Sequence, residues 1–114
     1  MNRGELWWVD LAEPRGAEPG KRRPVLVVQD DSLTRSRLRT VMVVPISSNL
    51  KRAAAPGNVM LARTHSGLRA ESVALVCQVL TIDKDFLTSR IATLPASSMA
   101  RIDVGLRLTL ALGH

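Results

Sequence analysis

Residues 22–29 read RRPVLVVQ, and this stretch decides the fold. From Pro24 to Gln29 it is a continuous apolar and β-branched run, and basic residues precede it. A run of this length and composition predicts a strand that is apolar on both faces. Such a strand lies inside a sheet rather than at its solvated surface.

Further strands are predicted on both sides of this run. They cover residues 5–11 (ELWWVDL), 40–46 (TVMVVPI), 58–62, 72–80 and 90–94, and the segment 72–80 is the longest. Pro45 marks the edge or the end of its strand, because proline has no N–H to donate to a ladder. The polar segments 12–22, 30–39 and 47–57 are predicted to be loops, and residues 81–84 can begin a helical turn.

The pattern changes to a helical one after Pro95. Ser97 or Ser98 can cap a helix that ends at Gly113. One apolar stripe consists of Met99, Ile102, Leu106 and Leu110. A second stripe beside it consists of Val104, Leu108, Ala111 and Leu112. A helix with two apolar faces is expected to pack on its own sheet and on a partner chain. Short strands with one terminal helix predict an α+β fold, mainly β: a small β-barrel with a C-terminal helix, in which residues 1–114 form a single domain.

Composition excludes several classes of protein. The chain has 114 residues, a mass of 12.4 kDa and a single cysteine, Cys77, so no internal disulfide can form. Its start has no apolar signal core, and no apolar run approaches the ~18 residues of a membrane span. One cysteine and two histidines cannot complete the four ligands of a structural zinc site on their own, so we expect neither metal nor cofactor. A reducing cytoplasm is the expected compartment.

The basic charge is concentrated in one third of the sequence. Nine of the sixteen Lys and Arg residues lie between Arg15 and Arg52, together with three acidic residues, and the rest of the chain is balanced. Thirteen of the sixteen are arginine, whose planar fork suits phosphate. The net charge of +6 and the pI near 11 therefore indicate a nucleic-acid partner or simply a basic, solvated surface.

Two positions combine a suitable side chain with a fixed backbone. Arg23 precedes Pro24, which restricts it to extended backbone where a loop enters a strand. It is either a phosphate ligand or a solvated arginine at a strand start. Ser47, Ser48 and Asn49 follow the third strand and offer hydrogen bonds to a phosphoryl oxygen, or else form an ordinary polar turn.

Other reactive side chains form no convincing catalytic group. His65 and His114 are expected at the surface, and Cys77 is expected to be buried and inert within its strand. No phosphate-binding glycine loop and no acidic cluster suited to Mg²⁺ is present in the sequence. Trp7 and Trp8 point to opposite faces of a strand. One is expected in the core, and the other in the core, in a dimer interface or on a base-stacking platform.

The order and spacing of these segments resemble the MazF/PemK family of toxin endoribonucleases. The resemblance rests on RGELWWVDL (3–11) followed by GAE (16–18), on RRPVLVVQ (22–29) and on VPISSN (44–49), and continues through ESVAL (71–75) and QVLTIDK (78–84). It runs from about residue 3 to residue 112. It implies an SH3-like barrel like those of CcdB and PemK, a homodimer, and sequence-specific, metal-independent cleavage of single-stranded mRNA. The products would carry a 2′,3′-cyclic phosphate and a 5′-hydroxyl, and a cognate, MazE-like antitoxin would cover the RNA-binding groove.

The resemblance also implies roles for individual residues. By position, the family's catalytic arginine falls on Arg23, its catalytic threonine or serine on Ser47, and its loop glutamate on Glu18. The resemblance and the basic charge together assign eight residues to RNA binding: Lys21, Arg22, Arg35, Arg37, Ser48, Asn49, Lys51 and Gln78. In the PemK-like branch an aspartate and an arginine stand where this chain has Cys77 and Leu75, so a mechanism with that aspartate as base is not available here.

The chemistry of the candidates agrees with this resemblance. RNA supplies its own nucleophile, the 2′-hydroxyl, so a protein needs only to align the phosphate and stabilise its growing charge. Arginine stays protonated, which suits Arg23 to charge stabilisation and leaves Glu18 as the nearby carboxylate that could accept the proton. A non-catalytic barrel protein, either a CcdB-like gyrase inhibitor or an RNA binder, is the alternative.

Overall fold

The computed structural model describes residues 1–10 and 22–113. Its strands are β1 (Glu5–Asp10), β2 (Arg22–Val27), β3 (Thr40–Ser47), β4 (Val59–Leu61), β5 (Ser72–Ala74), β6 (Leu80–Asp83) and β7 (Leu87–Thr93). Its helices are α1 (Asp31–Thr34), α2 (Arg63–Ser66) and α3 (Ala96–Thr109), and 3₁₀ turns lie at Leu50–Ala54, Val76–Gln78 and Lys84–Phe86. The mainly β, α+β class with a C-terminal helix is confirmed.

The strands form one antiparallel sheet, curved into a half-barrel, in the order β4-β5-β3-β2-β1-β7, with β6 also paired to β3. β2 lies between β1 and β3, and Val25, Leu26 and Val27 are all buried, as the apolar run predicts. The alternation of side chains gives the sheet two apolar faces. One face packs Leu6, Leu26 and Val44 beneath α3, and the other carries Val9, Val25 and Val43.

The prediction for Pro45 is wrong, because this proline lies inside the central strand. β3 pairs with β6 through residues 40–43 and with β5 through residues 46–47, and Pro45 lies between these two stretches. Because no strand pairs with β3 at Pro45 on that side, the lack of an N–H costs no hydrogen bond of the ladder. The Pro45 carbonyl accepts a hydrogen bond of 2.8 Å from the Leu75 amide.

The long strand predicted at residues 72–80 is also wrong. It is divided into β5, a 3₁₀ turn at Val76–Gln78 and the start of β6. The amide of Gln78 donates to the Leu75 carbonyl over 2.8 Å and closes this turn. Cys77, expected to be buried, is exposed as a result.

Two predicted loops contain a short helical turn. In residues 30–39, Asp30 caps α1 and accepts a hydrogen bond of 3.0 Å from the Ser32 amide. The hydroxyl and amide of Ser32 lower the pKa of Asp30 below its ordinary value, since both stabilise the carboxylate. In residues 47–57, Asn49 caps the 3₁₀ turn at Leu50–Ala54 in the same way.

Helix α3 presents one apolar stripe to the core and the other to solvent. Ile102 is fully buried, and Met99 and Leu106 pack against the core. Val104, Leu108 and Leu112 are each about 60% exposed. The expected serine cap is wrong: Pro95 stands at the N-cap without a side-chain bond, and the helix ends at Thr109, before the expected Gly113. Leu110, expected in the inner stripe, is exposed because the helix has ended there.

The start of β1 is held by a buried carboxylate. Glu5 accepts hydrogen bonds from the Trp7 indole N–H (3.0 Å) and from the Asn2 amide (2.9 Å), and Arg90 lies 3.6 Å away. Burial alone would raise the pKa of Glu5, but these hydrogen bonds and charges outweigh it and lower the pKa. The indole of Trp7 is thereby fixed on one face of the strand, so the alternation directs Trp8 to the other face.

A pair of glycines allows α3 to approach the sheet closely. A Cβ atom added to Gly105 would overlap the carbonyl oxygen of Gly57, and Gly57 itself has φ = +86°. Backbone atoms of Gly57 obstruct a side chain at Gly105, and the Thr109 hydroxyl (2.9 Å) and the Gly105 carbonyl (3.2 Å) crowd one at Gly57.

We expect Gly105→Ala to destabilise the protein, although alanine favours helices. The gain in helix propensity is about 1 kcal/mol, whereas overpacking a backbone contact costs about 1–3 kcal/mol or more. Because the obstructing atoms at Gly105 are backbone, the cost lies at the upper end of this range, and the free energy of unfolding in urea should fall by about 2 kcal/mol. Gly113→Ala, where no atom lies within 4 Å, is the control and should change it by less than about 0.5 kcal/mol. An unchanged midpoint for Gly105→Ala would contradict this account of the packing.

Candidate RNA-binding and catalytic site

The candidate site lies where β2 and β3 part. Their ladder ends with the pair Val25–Pro45. The beginning of β2 continues only with β1, which pairs Arg23 with Val9, and the end of β3 continues with β5. Counted on from that pair, Arg23 and Ser47 hold matching positions two residues further along β2 and β3, where the two strands no longer pair. Both leading catalytic candidates line the cavity that opens between these strand ends.

A cavity of about 550 Å³, here called the Arg23 cavity, opens at this point. Its polar wall consists of Arg23, Ser47, Asn49, Arg52 and Gln78. The remainder is apolar and includes Val9, Val25, Leu80 and Ile82. Four residues that the sequence indicated separately, Arg23, Ser47, Asn49 and Gln78, are thus brought together by the fold.

The hydroxyl of Ser47 is oriented by its neighbours. Its Oγ accepts a hydrogen bond of 3.1 Å from the Asn49 amide. Because that bond uses a lone pair, the O–H proton of Ser47 stays available to a ligand. Asn49 in turn accepts a bond of 3.2 Å from the Lys51 amide through its side-chain oxygen, so its NH₂ group stays available as a donor. Both side chains can donate hydrogen bonds to phosphate oxygens.

Arg23 contributes positive charge to this cavity, as Arg52 does. Its side chain is exposed, and it forms no ion pair with any residue in the ranges 1–10 and 22–113. Among the described residues that line the cavity, none is Asp or Glu. An anionic ligand would thus meet an attractive field with no acidic side chain of the described lining opposing it.

Arg52 is a member of the site that the sequence did not single out beyond its place in the basic segment. It belongs to the 3₁₀ turn at Leu50–Ala54, which Asn49 caps and which turns its side chain into the Arg23 cavity. The Asn-Leu-Lys-Arg order contains the cap but does not tell which of the two cations faces inward. In the structure Arg52 faces inward, whereas Lys51 lines neither this cavity nor the second cavity beside it.

The other predicted RNA-binding residues are distributed differently. Arg22 and Ser48 line a second cavity beside the first. Arg35 and Arg37 are exposed after α1 and line neither cavity. Glu18 and Lys21 lie outside the described residues.

Two other classes of function need either a cluster of metal ligands or a membrane-spanning helix. No three or more His, Cys, Asp or Glu side chains in residues 1–10 and 22–113 gather into a group that could hold a metal ion. Over the same ranges, no helix is long and apolar enough to cross a membrane.

Comparison with known proteins identifies the family. A family model described as PemK-like, MazF-like toxin of type II toxin-antitoxin system matches residues 2–110. The endoribonuclease MazF6 of Mycobacterium tuberculosis is 46% identical over 112 residues, which is 98% of each chain. The endoribonuclease EndoA of Bacillus subtilis is 36% identical, covering 98% of this chain and 96% of that protein.

Solved structures show the same fold. A MazE–MazF crystal structure from Deinococcus radiodurans has a TM-score of 0.81 at 24% identity, covering 99% of this chain and 97% of that one. The Mycobacterium tuberculosis toxin MazF-mt6 has a TM-score of 0.79 at 22% identity, covering 96% and 99%. The half-barrel with its terminal helix is that of the toxin barrels. This chain belongs to the PemK-like, MazF-like toxins of type II toxin–antitoxin systems, and the family predicted from its motifs is confirmed.

Proposed function

We propose that the protein is an endoribonuclease toxin that cleaves single-stranded mRNA without a metal ion. Arg23 and Ser47 carry this proposal, because both line the cavity where β2 and β3 part and can offer a guanidinium and a hydroxyl donor to one phosphate. Membership of the family and the names of its endoribonuclease relatives support it. The non-catalytic alternative, a gyrase inhibitor or a plain RNA binder, is not favoured, since it needs no such pair.

The reaction uses the 2′-hydroxyl of the RNA as the nucleophile. It attacks the adjacent phosphorus, the bond to the 5′-oxygen breaks, and the products are a 2′,3′-cyclic phosphate and a 5′-hydroxyl. Arg23 stabilises the charge on the pentacoordinate phosphate through its two-pronged fork, and Ser47 donates a further hydrogen bond. The base that takes the 2′-proton is proposed to be Glu18, a role that rests on the family resemblance alone. The departing 5′-oxygen takes a proton from water and becomes the 5′-hydroxyl.

RNA binding extends from this centre over the polar wall. Asn49, Arg52 and Gln78 are assigned to the strand next to the scissile phosphate, because they line the same cavity. The family resemblance and the basic charge add Lys21, Arg22, Ser48 and Lys51. Arg35 and Arg37 are kept as contacts to more distant backbone phosphates, since they are exposed and line neither cavity.

The proposed partners follow from the family and from α3. Solved relatives include a MazE–MazF assembly and an endoribonuclease with its cognate antitoxin, and a cognate antitoxin is proposed to cover the cavities here. The apolar outer stripe, formed by Val104 and Leu108 on α3 and by Leu112 just beyond its end, is proposed as a homodimer interface. Residues 1–114 are proposed to form a single toxin domain. Because its proposed substrate is mRNA, this domain would act in the cytoplasm.

Cleavage should persist in excess EDTA. The proposed donors are a guanidinium and a hydroxyl, neither of which needs a metal ion. A mixture of single-stranded RNAs incubated with the purified protein in EDTA should yield fragments with cyclic phosphate and 5′-hydroxyl ends, which end-labelling and mass spectrometry identify. Cleavage that appears only after Mg²⁺ or Mn²⁺ is added would overturn the mechanism.

Arg23→Ala and Ser47→Ala should separate catalysis from binding. Each removes one preorganised donor, so the single-turnover cleavage rate should fall about 10²–10³-fold while RNA binding persists. Arg23→Lys should restore little, because a point charge lacks the fork, whereas Ser47→Thr should retain activity. Arg63→Ala and Ser97→Ala, exposed positions that line neither cavity, are the matched controls. Equal losses in the controls, or full activity of either alanine variant, would contradict these roles.

The outer stripe of α3 should determine the oligomeric state. Light scattering at micromolar concentration should give the mass of a dimer. Leu108→Glu places a charge in the proposed interface and should give a monomer, whereas Leu33→Glu, at another exposed leucine, should not. A monomeric parent protein, or a dimeric Leu108→Glu variant, would show that this stripe is not the interface.

A further inference from the structure

A second cavity, here called the Trp8 cavity, adjoins the first and has a volume of about 710 Å³. Arg23, Pro24, Ile46 and Ser47 line both cavities. The catalytic pair therefore stands on a wall with a cavity on each side of it. A strand of RNA whose phosphate rests on Arg23 and Ser47 would have one nucleotide on each side.

Trp8 and Arg22 form a flat surface in this second cavity. The guanidinium carbon of Arg22 lies 4.7 Å from the centroid of the Trp8 ring. Arg22 also donates a hydrogen bond of 3.2 Å to the Ser89 hydroxyl, which restrains the guanidinium on the ring. Aromatic rings and arginine planes are the surfaces on which proteins stack unpaired bases.

Arg69 supplies a third cation to the same cavity. It lies in the turn between α2 and β5, where Gly67 ends the helix with φ = +72° and the Leu68 amide donates 3.1 Å to the Ser66 hydroxyl. Its side chain is exposed, and within the ranges 1–10 and 22–113 it makes no ion pair. The described lining holds no acidic residue, so Arg22, Arg23 and Arg69 give the cavity a positive field.

We propose that the Trp8 cavity binds the nucleotide on the far side of the scissile phosphate from the Arg23 cavity. The base stacks on the Arg22–Trp8 pair, and Arg69 binds the next backbone phosphate. This proposal rests on the proposed function and deepens it, because it assigns the RNA a path across the Arg23–Ser47 wall. The volume of the Trp8 cavity falls within the ~300–1,000 Å³ of ordinary ligand sites.

The occupant is RNA rather than a second copy of this chain. A copy carries the same net charge of +6 and would be repelled by three arginines. The apolar surface suited to a copy is the outer stripe of α3, and none of its residues lines this cavity.

The test uses Arg69→Ala and a cut site mapped on a long RNA. Three synthetic substrates carry that site: one with several nucleotides on both sides of the cut, and two trimmed to a single nucleotide on the 5′ or the 3′ side. On the full substrate, Arg69→Ala should lower kcat/KM about tenfold, as expected for the loss of one phosphate or stacking contact. Arg22→Ala should lower it comparably, and Arg63→Ala should match the wild type.

Trimming identifies which part of the RNA Arg69 contacts. Trimming the side that enters the Trp8 cavity to one nucleotide keeps the base on Arg22–Trp8 but removes the phosphate that Arg69 binds. The wild type should therefore slow to the level of Arg69→Ala, and the variant should lose nothing further. Trimming the other side should leave the tenfold ratio unchanged. A ratio near one on the full substrate, or the same ratio on both trimmed substrates, would overturn the proposal. So would a changed mass of Arg69→Ala by light scattering, which would assign the cavity to a second copy.

Failure of the proposed function would look different. If the wild type cleaves none of the three substrates, both the function and this inference fall. If the wild type cleaves and Arg69→Ala cleaves equally well, only the second cavity is refuted.

Discussion

The site depends on the point at which β2 and β3 stop pairing. Both strands are needed inside the sheet, because Val25, Leu26 and Val44 are buried and hold its core. Beyond the pair Val25–Pro45, each strand keeps only its outer neighbour. Arg23 is exposed and Ser47 is half-buried, yet their backbones remain fixed by the β1 and β5 ladders. A guanidinium and a hydroxyl are thus presented from rigid strands at an opening in the sheet, and such support is what a preorganised site requires.

Electrostatics then select the ligand. An arginine that is spent on a structural ion pair, as Arg3 is on Asp103 at 2.6 Å, orients α3 and offers little to a substrate. Arg23 and Arg69 form no such pair with the described residues, and the two cavities they line have no acidic lining among those residues. Because the nucleophile belongs to the RNA, charge stabilisation and alignment are the main requirements, and a small half-barrel can meet them.

Much of this arrangement could be predicted from the sequence, and the exceptions have physical causes. The apolar run after Arg23 placed β2 correctly, because a strand buried on both faces leaves a clear pattern. The pattern of residues 72–80 was misleading, because Val73 in β5 and Val76 in the 3₁₀ turn are both buried. The turn is set by the hydrogen bond from the Gln78 amide to the Leu75 carbonyl, which an apolar pattern does not reveal. Arg52 and Arg69 were not predicted, since charge in a sequence does not tell which face of a turn a side chain occupies. Arg35 and Arg37 show the converse, as they are close to the site in sequence and line neither cavity.

The central claim is that Arg23 and Ser47 assist attack by the RNA's own 2′-hydroxyl. The most direct test replaces the ribose on the 5′ side of a mapped scissile phosphate with 2′-deoxyribose and measures binding and single-turnover cleavage of this RNA. The account predicts that the substituted RNA binds with nearly unchanged affinity and is not cut at that position, while other sites on it are cut normally. Normal cleavage at the substituted position would mean that another nucleophile acts, and the roles assigned to Arg23 and Ser47 would be contradicted.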